Sequence, residues 1–199
     1  MRISKLTFAA ILLASTLTAA AADWQPICKP NALDGWTSKP ELNHWSAKDG
    51  VITGANTPKK KGSVLWSEAE FGDFILETDV RFSGTIDSGI FVKGGRYQVN
   101  LGISSSLKKD MTCSIYAPKD KRGKYPGLAE GIPELWKQDD WNAVRIQAKG
   151  KHIIVSVNGT QVLDYETVAL EKKGPIGLQV HAGHHMKVEF RNVRVKVTG

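Results

Sequence analysis

The sequence predicts an all-β fold, a sandwich or a jelly roll. Three observations carry that expectation. Short segments of period-two hydrophobicity recur along the chain, turn signals separate them at regular spacing, and no convincing amphipathic helix interrupts them. Length and composition agree. The 199 residues allow one domain, 41% are hydrophobic and 24% charged, and 19 Gly with 8 Pro suit a turn-rich chain.

The elements follow in order. Residues 1–22 open with Arg2 and Lys5, continue in a short apolar run and end in Ala20-Ala21-Ala22. This is the pattern of a cleaved signal peptide, with the cut before Asp23. The run is too short for a transmembrane anchor, which needs about 20 apolar residues. A periplasmic or secreted domain over 23–199 is therefore expected, with no membrane span. In an oxidising compartment its two cysteines, Cys28 and Cys113, could pair or stay free. Trp45 and Val51-Ile52 flank a turn at Lys48-Asp49-Gly50. FILETDVRF (74–82) alternates, with Phe74, Leu76, Val80 and Phe82 on one face and Ile75, Glu77, Asp79 and Arg81 on the other. SGIFVK (88–93) and RYQVNL (96–101) form a hairpin at Gly94-Gly95. The stretch 102–140 is a Lys-, Gly- and Pro-rich connection holding one strand, CSIYA (113–117); long loops in β domains carry function or disorder. Its segment Leu128–Trp136 contains Gly131 and Pro133, so a helix is not expected. NAVRIQA (142–148) precedes HIIVSV (152–157) and TQVLDY (160–165), a hairpin whose Asn158-Gly159 supplies the two positive φ values of a type I′ turn. PIGLQVH (175–181) and KVEFRNVRVKV (187–197) close the series. The apolar phase of the last strand slips at Arg191-Asn192, which predicts a bulge.

Strand parity selects the candidate binding residues. With Tyr97, Val99 and Leu101 inward, Gln98 and Asn100 face out together. With Ile176, Leu178 and Val180 inward, Gln179 and His181 do the same. Asp79 and Arg81 share an outward face, and Lys93 falls in phase with Gly89 and Phe91. On a curved sheet these groups could converge into a concave, hydrogen-bonding sugar site beside aromatic platforms. The alternative is a solvated strand face. His181, His184 and His185 form a cluster able to ligate zinc or copper, or simply a polar surface loop. No cofactor is predicted, and a divalent metal has no support beyond these imidazoles. Glu77 and Asp79 partly resemble the acidic strand of laminarinase-type glucanases, but Arg81 holds the place of the third acid and cannot protonate a leaving group. Asp79 and Arg81 read more simply as a salt-bridged strand face. The net charge of +7 lies partly in the signal segment and largely in loop lysines. Without a basic helix or aromatic-basic motif, nucleic acid is not the expected partner.

Against this background the chain resembles the 3-keto-disaccharide hydrolase family from about Leu33 to Val197. The landmarks are L-D-G-W (33–36), W-S-A-K-D-G-V (45–51), F-G-D-F-I-L (71–76), D-S-G-I-F-V-K (87–93), D-D-W-N-A-V-R-I (139–146), V-N-G (157–159), G-P-I-G-L-Q-V-H (174–181) and E-F-R-N-V-R-V (189–195). The resemblance implies a concanavalin A-like, glucanase-like jelly roll acting on glycosides oxidised at C3. A ketone there acidifies the C2 proton; its removal gives an enediolate, the C1 group leaves, and water adds to the glycal. His181 is then the expected base, Lys93 or Arg81 the oxyanion stabiliser, and Asp79, Gln98, Asn100 and Gln179 the sugar contacts. A separate sugar oxidoreductase would supply the keto-sugar. Where the family usually reads E-x-Q-x-x-D after the tyrosine, this chain has Gln98 and Asn100 and no acid through Ser106. Either His181 carries the proton transfer, or the protein is a lectin-like carbohydrate-binding module.

Overall fold

The architecture comes from a computed structural model, which describes residues 23–39 and 42–199. The expected signal segment, 1–22, lies outside the described residues. The strands are β1 (Gln25–Pro26), β2 (Trp36–Lys39), β3 (Trp45–Lys48), β4 (Val51–Ala55), β5 (Ser63–Ser67), β6 (Phe74–Phe82), β7 (Asp87–Val92), β8 (Tyr97–Ser104), β9 (Lys109–Asp110), β10 (Ile115–Tyr116), β11 (Asn142–Lys149), β12 (His152–Val157), β13 (Thr160–Glu166), β14 (Gly177–Val180) and β15 (Lys187–Val197). The first sheet runs β13-β12-β11-β6-β15-β4-β3, with β1 added against β15. The second runs β10-β8-β7-β14-β5-β2, with β9 against β8. Every strand pairing among the described residues is antiparallel. A short helical turn, Ile132–Leu135, follows Gly131 with Pro133 in its first turn, and it ends where Trp136 takes up extended backbone.

Side-chain alternation dictates this packing. Phe74, Leu76 and Val80 of β6, Val144 and Ile146 of β11, and Val188, Phe190 and Val195 of β15 turn inward from the first sheet. They meet Leu65, Ile90, Val99, Leu101, Leu178 and Val180 from the second, all essentially inaccessible to water. Removing that apolar surface from water is the main force holding the sheets together.

The turn chemistry matches the sequence. Asn158 and Gly159 take φ of 49° and 87° between β12 and β13. Asp49 and Gly50, at 50° and 77°, join β3 to β4. The register of β15 on β6 shifts between Arg191 and Arg194, and Asn192 adopts φ of 53°, so the expected bulge is present. It keeps Val193 and Val195 facing the core after the phase slip.

The connection after β8 is ordered rather than loose. Cys113 N–H donates to Asn100 O at 2.7 Å, and Asn100 N–H to Ser114 O at 2.9 Å. Ala129 N–H donates to Ser114 Oγ at 3.0 Å. The connection thus lies against β8 and roofs its outer face. Gln98 and Asn100, outward by parity, are 2% and 1% exposed. Cys28 and Cys113 do not pair; Cys113 is wholly buried and Cys28 partly so. Burial, with the Asp110 carboxylate nearby, pushes the Cys113 thiol far up, so it is an inert part of the core.

Candidate functional site

Strands β7, β8 and β14 lie side by side in the second sheet and set their outward residues in adjacent rows. Gly89 pairs across to both Asn100 and Gln179, and Phe91 pairs with Gln98. Gln98 leans over Gly89 and donates from Nε2 to Gln179 Oε1 at 2.7 Å. A Cβ on Gly89 would lie 2.4 Å from the Gln98 amide carbon, so the amide crossing requires glycine there. With its oxygen occupied, Gln179 keeps its own amide N–H groups for a ligand. Asn100 Nδ2 donates to Gly102 O at 3.0 Å, and Tyr125 Oη donates to Asn100 Oδ1 at 3.2 Å.

These residues line a recess of about 340 Å³, together with Asp87, Ser104–Ser106, Tyr116, Lys124, Tyr125 and His181. That volume is at the small end for ligand pockets. Tyr116 and Tyr125 face each other with ring centroids 5.2 Å apart. Burial, followed by the charge of nearby Asp87, raises the Tyr125 phenol above its usual value even against an opposing hydrogen bond from Ser104. Tyr125 therefore stays a neutral donor at physiological pH.

The imidazoles stand at one end. His181 continues β14, its N–H donating to Asp87 O at 3.3 Å and its carbonyl accepting from Asn56 Nδ2 at 2.8 Å. Its Nδ1 lies 2.7 Å from Ala182 O. A carbonyl only accepts, so Nδ1 carries the proton and neutral His181 holds its lone pair on Nε2. Asp87 is 6% exposed, and its Oδ2 accepts from Ser105 N–H at 2.8 Å and Ser105 Oγ at 2.5 Å. Ser105 Oγ is also 2.6 Å from His184 Nε2. Its one proton goes to the carboxylate, so it accepts from His184. The two imidazole rings meet edge to face, with centroids 5.8 Å apart.

Of the seven residues selected by parity, Gln98, Asn100, Gln179 and His181 share this recess. The other three do not. Asp79 and Arg81 belong to β6 in the opposite sheet. They pair not with each other but across to β15: Arg191 Nε donates to Asp79 at 3.0 Å, and Arg81 Nε to Glu189 at 2.8 Å. Parity within a strand does not say which sheet the strand joins, so it groups Asp79 and Arg81 with residues that the fold sets on the opposite sheet. Lys93 sits not on the strand face but in the β7–β8 turn, at φ of 50°. The positive φ swings its side chain inward, where Nζ donates to Asp73 at 3.0 Å with the side chain 1% exposed. Neither Lys93 nor Arg81 lines the recess; Lys124 does.

The larger hollow, about 870 Å³, lies on the outer face of the first sheet. Its acids are spent: Glu77 accepts from Arg145 and Arg194, and Asp79 from Arg191 and Asn192. No aromatic side chain lines it, and Trp141 of the same sheet is covered by Arg81 and Arg191, 4.4 and 4.2 Å from its ring centroid. With no free carboxylate or open aromatic face, it is the weaker candidate.

Sequence reasoning missed Asp87, Ser105, Tyr116, Lys124 and Tyr125. Asp87 was legible by parity with Gly89 on β7, and it restores a carboxylate to a site that has an amide at 98. The tyrosines and Ser105 come from the irregular connection, where no periodicity points.

Residues 23–196 match the family described as the 3-keto-alpha-glucoside-1,2-lyase-like domain. No curated protein compared with the chain matches it. Among solved structures, a provisionally named glycosyl hydrolase from Parabacteroides distasonis ATCC 8503, determined at 2.00 Å, superposes with a TM-score of 0.65 at 20% identity, covering 88% of this chain and 100% of its own. The carbohydrate binding module CBM66 from Bacillus subtilis gives 0.52 at 16% identity, over 81% of this chain and 95% of its own. A Bacillus subtilis protein of unknown function with a galectin-like fold gives 0.56 at 15%, over 81% and 88%. These likenesses establish the jelly-roll fold. The family match spans almost all of the described residues, and the chain belongs to the 3-keto-alpha-glucoside-1,2-lyase-like domain family.

Proposed function

We propose that the recess binds a glycoside oxidised at C3 and eliminates its aglycone. The carrying observation is that Gln98, Asn100, Gln179 and His181 converge there beside Asp87 and two tyrosines. Nε2 of His181 takes the proton from C2. The C2–H electrons form the C2=C3 bond, and the ketone oxygen becomes the oxyanion. Lys124 and the amide N–H groups of Gln179 stabilise that charge. Collapse of the oxyanion restores the ketone, forms the C1=C2 bond and expels the C1 oxygen, which takes the proton that His181 Nε2 now carries and so returns the imidazole to its starting form. Water then adds across C1=C2. Tyr116 and Tyr125 supply the apolar platform for the ring. The ketone must be made beforehand by a sugar oxidoreductase. The signal-like segment 1–22 supports a periplasmic or secreted setting, which cell fractionation tests.

Incubation of purified protein with a 3-keto-glucoside should release aglycone, and His181→Ala should slow it at least about a hundredfold, the scale of a lost general base. Unchanged turnover in that variant removes His181 from the mechanism. The amide at 98 favours a second reading, a lectin-like sugar-binding module. That reading is selected if the wild type binds unoxidised sugar tightly and releases no aglycone from the keto-sugar.

A further inference from the structure

We propose that Asp87, His181 and His184 form a binding site for a divalent transition-metal ion of the zinc class. One ligand atom from each lies within 4.8 Å of the other two. The three come from different segments: the start of β7, the residue after β14, and the loop leading to β15. Sequence proximity alone therefore does not account for the cluster.

The hydrogen bonds around the cluster are those of prepared ligands. Metal-bound imidazoles ordinarily donate their second ring N–H to a fixed oxygen, which sets the tautomer and aims the lone pair. His181 does this through Nδ1 to Ala182 O at 2.7 Å, leaving Nε2 unprotonated. His184 does it through Nε2 to Ser105 Oγ at 2.6 Å, leaving Nδ1 unprotonated. Asp87 commits Oδ2 to two donors on Ser105 and keeps Oδ1 for a cation. A single serine thus orients two of the three ligands. Two imidazoles and one carboxylate suit zinc, and three protein ligands leave a fourth position open, as in reactive rather than purely structural zinc sites.

Bonds of about 2.0 Å in a tetrahedron place ligand atoms roughly 3.3 Å apart, so the cluster must contract on binding. His184 can supply that movement. It lies in the partly exposed loop 182–185, whose Gly183 takes φ of 88° and whose Ala182 and His185 are exposed. His185 is outside the cluster, so the metal-binding pair is not the adjacent His184-His185 that the sequence presents.

One consequence rests on the proposed function: an ion on His181 Nε2 occupies the lone pair that would take the C2 proton. The site itself does not depend on that reading, and it is tested without sugar. Chelator-treated protein is titrated with zinc chloride by calorimetry, and with cobalt(II) while the visible spectrum is recorded. One ion per chain is expected, with the intense visible bands of a four-coordinate cobalt centre. Asp87→Asn and His184→Ala should each weaken zinc binding at least tenfold, whereas His185→Ala should leave it unchanged. His184 is in a surface loop, so its variant reports on the ligand even if Asp87→Asn fails to fold. Absence of zinc binding by the wild type overturns the proposal. So does wild-type affinity in His184→Ala, or a loss in His185→Ala equal to that in His184→Ala. None of these outcomes depends on aglycone release, so the metal site and the sugar chemistry fail separately.

Discussion

At the scale of single residues, Gly89 and Lys93 stand four chain positions apart and answer to different constraints. Gly89 is required by a neighbour's side chain. A methyl group there collides with Gln98 at 2.4 Å and pushes it off Gln179. Gly89→Ala should weaken sugar binding about tenfold, equal to roughly 1.4 kcal/mol and the scale of one hydrogen bond. Far-UV circular dichroism should stay unchanged; calorimetry reads the affinity. Lys93 is held by charge instead. Burial pushes the Asp73 carboxyl up, but hydrogen bonds from Lys93 and Gly150 N–H, with the charges of Lys93 and Lys149, outweigh it and hold the carboxyl below its ordinary value. A carboxyl lowered by folding stabilises the protein above its unfolded value, near 4, and that contribution is lost as pH falls through the folded value. Lys93→Met should cost about 1–3 kcal/mol at neutral pH, because the partly buried Asp73 loses its ion-pair partner and keeps only the hydrogen bond from Gly150 N–H. The loss should narrow in urea titrations as pH falls below the ordinary carboxylate value and through the lower folded value of Asp73, where the carboxyl becomes protonated.

At the scale of elements, what the sequence revealed depended on how local the determining force was. Strand β6 was legible at both ends, because Phe74 to Phe82 alternate without a break. The β12–β13 hairpin was legible because Asn158-Gly159 encodes its own turn. What could not be read was the partner of each strand, since pairing is a property of two distant segments. Hence Asp79 was placed with Gln98 although β6 lies in one sheet and β8 in the other. The roof over β8 was invisible for a related reason: its order comes from hydrogen bonds to Asn100 and Ser114, not from any period of its own. Asn158 shows how much one turn residue can hold. Its Oδ1 accepts from Ala143 N–H at 2.9 Å, and its Nδ2 donates to Leu135 O at 2.7 Å and Asn142 Oδ1 at 3.0 Å. Asn158→Ala removes all three and places a residue less tolerant of φ near 49° in the turn. A destabilisation of about 2–4 kcal/mol is expected, read as a lower urea midpoint with an unchanged slope.

At the scale of the whole molecule, one strand ties the first sheet together. β15 follows every other strand in the chain yet lies inside the sheet, between β6 and β4, with β1 on its bulged half. It carries Val188, Phe190, Val193 and Val195 into the core. A variant ending at residue 186 should therefore lose cooperative thermal unfolding and near-UV circular dichroism, rather than melt a few degrees lower. A sharp transition in that variant would show that the remaining strands close without it. The same strand order governs when folding can happen during synthesis. Until residues 187–197 emerge, β6 and β4 have no strand between them, and one backbone edge of each is left without its partner.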